Sequence, residues 1–312
     1  MAKKAKNPQD ILDTSSSYLL RKNAGASDWI FSITIWVLLF AVVAVVVYPL
    51  YFVVVASFSD PVDVGLGNTL LGPVGLYLEG YEEIFSYERL WIAYGNTIFY
   101  TVAGTILHLL LTIPIAYTIS RKNLMLNGFL ATFLIITMFF NGGTIPLYMM
   151  LRAYGLLNTR WVLIVSGCVS VYNIIIARTF FANSIPAELM EAAEIDGATA
   201  MQTFVKIVLP ISMTIIAVIG LYAAVGYWNA YKPGLMYIRN DELFPLQVIL
   251  RELLLVNMND MMVVGNGEVD QMRKAEQIKY GIIVVSTLPI MCLYPMLQRF
   301  FAKGVMIGAV KG

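Results

Sequence analysis

Charge is what this chain lacks. Of its 312 residues only 13% are Asp, Glu, Lys or Arg, against 59% hydrophobic, and the mean hydropathy is +0.73. Soluble domains carry about 25% charged and roughly 45–50% apolar residues, so this composition cannot cover a water-soluble globule. It describes an integral membrane protein. A net charge of +1 argues against nucleic-acid binding, which requires a basic face. Cysteine and histidine are equally scarce. Cys168 and Cys292 lie far apart in apolar runs and read as small buried hydrophobes, with no disulfide framework and no metal site. A Gly-x-x-x-x-Gly-Lys-Ser/Thr loop occurs nowhere, so nothing here cradles ATP phosphates in that way and the chain is not itself a motor. The apolar runs hold no carboxylate, which counts against proton- or sodium-coupled transport. No nucleophile-base pair at membrane depth suggests an enzyme, so no catalytic residue is assigned.

What is present is a series of long apolar runs. About 20 apolar residues cross a bilayer core as a helix, and six runs qualify: about 29–57, 93–119, 126–151, 161–181, 207–230 and 278–301. The fold class expected is therefore all-α, with six transmembrane helices. Residues 1–28 are polar, and the apolar run that follows is too long for a signal-peptide core. Pro114, Pro146, Pro210, Pro289 and Pro295 fall in or beside the runs, where neighbouring helices can satisfy the carbonyls a proline frees. Lys3, Lys4, Lys6, Arg21 and Lys22 precede the first run, and Arg121, Lys122, Arg178, Lys206, Arg299, Lys303 and Lys311 fall on the same side. By the positive-inside rule that side is cytoplasmic, so residues 1–28 form a cytoplasmic segment and both termini are inside. Arg152 and Arg160, on the opposite side, weaken the asymmetry without reversing it.

One polar segment stands out between the fourth and fifth runs, about 183–210. Glu188, Glu191 and Glu194 recur at spacing three, which lines one side of a short helix and favours its N-terminal dipole end. Pro186 suits a first helical position, with Asn183 or Ser184 available as cap. Gly197 has the freedom to end the helix and turn the chain. A second short helix is expected over 198–205, with Leu209-Pro210 marking the start of the fifth span. On polarity alone the segment could be a plain amphipathic connector.

The combination Glu191-Ala192-Ala193, Ile195-Asp196-Gly197-Ala198 and Leu209-Pro210 resembles the EAA loop of ABC importer permeases. Met213-Thr214 stands where related permeases often have Lys-Pro. The likeness extends through Gly95-Asn96-Thr97, Phe140-Asn141-Gly142-Gly143-Thr144-Ile145-Pro146, Gly155–Thr159, Tyr227-Trp228-Asn229 and Phe244–Gln247 to the tail from Gln298 to Gly304 and from Gly308 to Gly312. In these the chain is similar to carbohydrate importer permeases of the maltose-permease type, in the branch named for aldouronate and other complex oligosaccharides. The resemblance implies the type I importer permease fold over 29–312, in a bacterial plasma membrane. It makes Glu188, Glu191, Ala192, Ala193, Asp196 and Gly197 the coupling helix that docks on the ATPase. It also implies a second homologous permease subunit, an ABC ATPase dimer that binds the ATP and magnesium, and an extracellular solute-binding protein that delivers an oligosaccharide.

A sugar path needs aromatic faces for ring C–H surfaces and amides or hydroxyls for hydroxyl groups. Polar residues in a span usually face the bundle interior or a water-filled path. The candidates are Asn96, Asn141, Asn173, Tyr227, Trp228, Asn229 and Tyr231, with Tyr172 beside Asn173. For each, a second reading stays open: Tyr and Trp as interfacial belt, Asn as a tie between helices. His108, the single histidine, reads either as a packed side chain or as a proton relay, and no nearby carboxylate supports the relay. The long segment at about 232–277, with an amphipathic stretch over 245–256 and Gly265-Asn266-Gly267, is either a surface for the binding protein, as in the relatives, or a solvated linker. A stand-alone secondary transporter would want intramembrane charge or an inverted repeat, and neither is evident. Another solute on the same scaffold, such as a modified sugar, a glycan or a peptide, remains the alternative.

Overall fold

The computed structural model describes residues 26–121, 125–140, 142–263, 276–292 and 295. Among them the chain is helical throughout, with one isolated antiparallel bridge, Ser59 to Leu76. Helix α1 (Ala26–Phe58) runs unbroken through Pro49. The most apolar window of its 31-residue portion Asp28–Phe58 has no buried residue and a mean hydropathy of 3.0. An apolar helix with so little protein around it is stable in hydrocarbon, not in water. The short α2 (Pro61–Gly65) is capped by Asp60, whose carboxylate accepts the Val62 N–H. Next come α3 (Glu79–Ser86) and the 33-residue α4 (Glu88–Ser120). The second span thus starts earlier than the apolar run suggests, because Leu90 and Ala93 bury their side chains in a cluster with Trp228, Leu246 and Ile249.

The third, fourth and fifth runs are not straight helices. Helix α5 (Asn127–Phe139) meets α6 (Thr144–Ala153) at 109°. Gly143 at the joint has φ +88°, and Pro146, in the first turn of α6, has no N–H to give the Gly142 carbonyl, so a ladder running from α5 into α6 would lack that bond. Helices α7 (Arg160–Ser166) and α8 (Val171–Ser184) meet at 48°, and the Ser170 hydroxyl restarts the chain by accepting the Asn173 N–H. Helix α9 (Ala187–Ile195) carries the acidic segment. Helix α10 (Ala200–Ile211) and α11 (Met213–Trp228) meet at 79°.

Two local expectations are corrected here. Pro186 precedes α9 as its N-cap with no side-chain bond, and Asn183 and Ser184 close α8 instead of capping α9. The helix after Gly197 also runs through Leu209-Pro210, and the break comes at Ser212 (φ −97°, ψ 15°). The physical reason is a π turn over Phe204–Val208, in which the Leu209 N–H reaches back to the Phe204 carbonyl. The widened ladder accommodates the amide that Pro210 lacks.

Helices α12 (Tyr231–Tyr237) and α13 (Leu246–Val263), with a 3-10 turn at Asp241–Leu243, form the amphipathic stretch after α11. They are held on the Glu88 end of α4 by a row of bonds. Asn96 donates to the carbonyls of Glu242 (2.6 Å) and Phe244 (3.2 Å), Tyr100 donates to Leu243 (2.8 Å), and Thr97 accepts the Leu246 N–H (2.7 Å). Arg89 pairs with Asp241 at 2.9 Å and Glu252 at 3.1 Å. Among the described residues a further helix, α14, covers 276–292. Among the described residues two helices are long and apolar enough to cross a membrane, or up to five spans if each bent pair is one. The sixth expected span, 278–301, extends beyond the described residues, as do the N-terminal segment 1–25, Gly265-Asn266-Gly267 and the tail motifs.

Candidate functional site

The bundle packs around α4, whose most extensive partners are α11 and α8. Where the α7–α8 break faces α4 and α11 they line an open cavity of about 450 Å³, within the roughly 300–1,000 Å³ usual for small-molecule sites. The break supplies Ser166, Gly167 and Ser170; α8 adds Tyr172 and Asn173, α11 adds Tyr222 and Tyr227, and α4 adds His108. None of the described lining residues is Lys, Arg, Asp or Glu.

Tyr227 is clamped in this wall. Its hydroxyl donates to the Ile164 carbonyl at 2.9 Å. Its ring lies against two glycines: a Cβ on Gly104 would stand 2.5 Å from Tyr227 Cζ, and one on Gly167 would stand 3.0 Å from Cε1. A side chain at either position would occupy the space the ring fills. His108 and Asn173 form the opposite polar element, both buried. Asn173 Nδ2 lies 2.9 Å from His108 Nε2, and His108 Nδ1 lies 3.3 Å from the Gly167 carbonyl. An amide NH2 only donates, so Nε2 accepts and Nδ1–H donates, which is the neutral imidazole. His108 is thus the packed, satisfied histidine of the first reading, and it also helps wall the cavity. Tyr172 and Tyr222 are about half exposed, at 56% and 49%, and leave ring surface free.

The other path candidates fall elsewhere. Asn96 spends its amide on Glu242 and Phe244 and acts as a tie between α4 and the turn before α13. Trp228 is buried in the cluster with Leu90 and Ile249, edge-on to Tyr94, its Nε1 donating to Ser286 O at 3.1 Å. Asn229 is exposed at the end of α11 and bonds back to Val225 O. Tyr231 lies under Arg251, its ring centroid 4.9 Å from Cζ, and its hydroxyl is buried without a partner among the described residues. Asn141 lies outside the described residues. Of the candidates, Tyr172, Asn173 and Tyr227 meet in the cavity. Ser166, Ser170 and Tyr222 were missed, because in a straight span they have no reason to face one point. The available signal was Ser166-Gly167 within an apolar run, a place where a helix can open.

The acidic segment projects from the Ser120 end of α4. Glu188, Glu191, Ala192, Asp196 and Gly197 are exposed, and Ala193 is buried as the foot of the helix. Gly197 (φ +75°) ends α9 as expected. Ala198 N–H donates to Ala193 O (2.9 Å) and Gly197 N–H to Glu194 O (3.0 Å), the paired bonds of a Schellman cap. Thr199 and Gln202 then open α10 with a capping box. Ile195 (86% exposed) and Met201 (70%) flank the turn and put apolar surface beside the carboxylates. Behind it, Phe204 packs on Tyr117 at 4.9 Å, and the guanidinium of Arg121 covers that ring at 4.4 Å.

No family model matches the chain. Curated relatives do. The chain is 36% identical over 280 residues to the polygalacturonan/rhamnogalacturonan transport system permease protein YtcP of Bacillus subtilis (strain 168), covering 89% of this chain and 96% of that one. It is 35% identical to Protein LplC of the same organism, over 86% of this chain and 90% of the other. Among solved structures it is similar to a chain of a bacterial ABC transporter involved in the import of the acidic polysaccharide alginate, with a TM-score of 0.77, 30% identity and coverage of 89% and 99%. This identity over nearly the whole chain, on the fold described above, shows that the protein belongs to the carbohydrate ABC transporter permeases and is the permease subunit of an ABC importer.

Proposed function

We propose that this permease carries oligosaccharides and that the cavity between α4, the α7–α8 break and α11 is its share of the sugar path. The observation that carries the reading is the meeting of three tyrosines, an amide and two serine positions around one uncharged space. Ring faces suit the C–H surface of a pyranose, and neutral donors and acceptors suit its hydroxyls. The relatives named for polygalacturonan/rhamnogalacturonan and for arabinooligosaccharides support a plant-polysaccharide fragment as the solute. A modified sugar, another glycan or a peptide is the alternative on this scaffold.

In the same proposal α9 is the coupling helix. Glu188, Glu191 and Asp196 present charge to an ATPase dimer that holds the ATP and magnesium, while Ala192 and Ala193 keep the helix slim and Gly197 sets its angle to α10. Closure of the dimer on ATP would push this lever and, through Phe204 and Tyr117, rock α10 and α4. Both termini and α9 are cytoplasmic in this arrangement. A second permease completes the path, and an extracellular solute-binding protein meets the end formed by α12 and α13.

The test is ATP hydrolysis by the reconstituted importer with its binding protein, given oligogalacturonides, rhamnogalacturonan fragments and arabinooligosaccharides in turn. One of these stimulates hydrolysis, and stimulation disappears in a Gly197→Asp, Glu191→Lys variant. Stimulation unchanged in that variant would remove α9 from the mechanism. No stimulation by any saccharide, with a response to a peptide pool, would overturn the substrate.

A further inference from the structure

A second space lies apart from the cavity and from α9. It is a groove of about 800 Å³ between the end of α1, helix α3 and helix α14. One wall is a stack of rings: Phe58 on Tyr81 at 5.3 Å (20° between planes), then Tyr81 on Phe85 at 6.1 Å (22°). The other wall is Val284, Val285 and Leu288. The polar end of Tyr81 is already used, since its hydroxyl donates to Ser57 Oγ at 2.9 Å. Apart from Ser86 and Glu82 the described lining is apolar or aromatic, and an apolar groove exposed to water would be costly.

Position and charge say what fills it. Phe58 is the last residue of the long lipid-compatible α1, followed directly by Ser59 and Asp60. The groove therefore opens at the edge of the hydrocarbon layer, where acyl chains are the local solvent. At its rim stands Glu82, exposed and without an ion pair among the described residues, with Glu83 beside it. A carboxylate here favours a cationic group and repels an anionic one.

We propose that the groove between α1, α3 and α14 is a binding site for an amine-headed phospholipid, phosphatidylethanolamine, with an acyl chain between the ring stack and Val284–Leu288 and its ammonium on Glu82. The lipid adds to the bonds of Ser57 with Tyr81 and Gln277 that already hold that end of α1 on the bundle. This site needs only a membrane location and is independent of which solute is carried.

The test uses the intact importer reconstituted in nanodiscs of equal phosphatidylethanolamine and phosphatidylglycerol, then released and weighed by native mass spectrometry. Phosphatidylethanolamine is retained in preference to phosphatidylglycerol. Val284→Trp fills the groove and removes that retained lipid, and Leu288→Phe serves the same purpose if the first variant fails to assemble. Glu82→Gln keeps a lipid but lowers the preference for the amine head by about threefold to fivefold, the worth of one exposed ion pair. Equal retention of both lipids by the wild type, or retention unchanged in the filled variants, overturns the proposal. So does efficient disulfide cross-linking of a Ser86→Cys variant to the second permease, since protein would then cover the groove.

Discussion

Replacing Gly104 by alanine is the sharpest probe of how the cavity wall is built. The new methyl would lie 2.5 Å from Tyr227 Cζ and 2.6 Å from both Cε atoms, where carbon atoms normally stand about 3.5–4.0 Å apart. The ring must therefore retreat by roughly 1 Å from α4. It cannot retreat freely. Gly167 backs the same ring, with a would-be Cβ 3.0 Å from Cε1, and the hydroxyl is held by Ile164 O at 2.9 Å. Overpacking of this kind costs about 1–3 kcal/mol. Losing the bond to Ile164 would strand a buried carbonyl for about 1–3 kcal/mol more. The expected total is about 2–6 kcal/mol, a large share of a typical margin. The assay is heat inactivation of the purified importer at a fixed scan rate, for Gly104→Ala, Tyr227→Ala and the double variant. With the ring gone the added methyl should cost almost nothing, giving a coupling of at least about 1 kcal/mol between the sites. Gly104→Ala at wild-type stability, or an equal penalty with and without the ring, would refute the packing argument.

Asn158 and Gln277 make two further tests. Asn158 has φ 59°, its Oδ1 accepts the N–H groups of Arg239 (2.9 Å) and Asn240 (2.8 Å), and its own N–H donates to Tyr237 O (2.8 Å). Asn158→Ala should destabilise by about 1–2 kcal/mol through the loss of two exposed hydrogen bonds and left-handed strain, and Asn158→Gly should recover only the strain; equal melting of all three proteins would refute the brace. Fully buried Gln277 accepts the Gly80 N–H at 2.8 Å and donates to Ser57 O at 3.0 Å and to Tyr77 O. Gln277→Leu should loosen the α1 end, lowering the inactivation temperature and speeding amide hydrogen exchange at Gly80, and unchanged exchange there would remove Gln277 from this role.

Much of the architecture was legible because its signals are local. Hydropathy located apolar helical segments, since about 20 apolar residues in a row have few other uses. Among the described residues, however, these make two straight spans, or up to five if each bent pair is one, where six were expected. The turn at Gly197 was legible because a positive φ selects glycine. The breaks were not. Gly142-Gly143 and Pro146 sit in a run that reads as one span, and the cost of opening a helix there depends on neighbours that satisfy the freed groups. The same holds for the π turn at Phe204–Val208, which moved the start of the fifth span from Leu209-Pro210 to Met213. The acidic helix was legible as an element, but its cap was expected at Asn183 or Ser184 and falls at Pro186, one position before the helix begins.

Taken alone, the amino-acid order determined that this is a membrane protein, where its apolar segments begin and end, and which short helix differs from the rest. Hydration and backbone preference act residue by residue, so they can be read without a fold. Direction is different. Tyr227 and Trp228 are neighbours about 100° apart on one helix, and only the rotation of α11 against α4 sends the first to the cavity and the second to the cluster around Leu90. Likewise Asn96 and Asn173 are both buried span amides, and their partners alone make one a tie to Glu242 and Phe244 and the other a cavity wall with His108. In a helix every side chain has a face, and tertiary packing decides what that face meets.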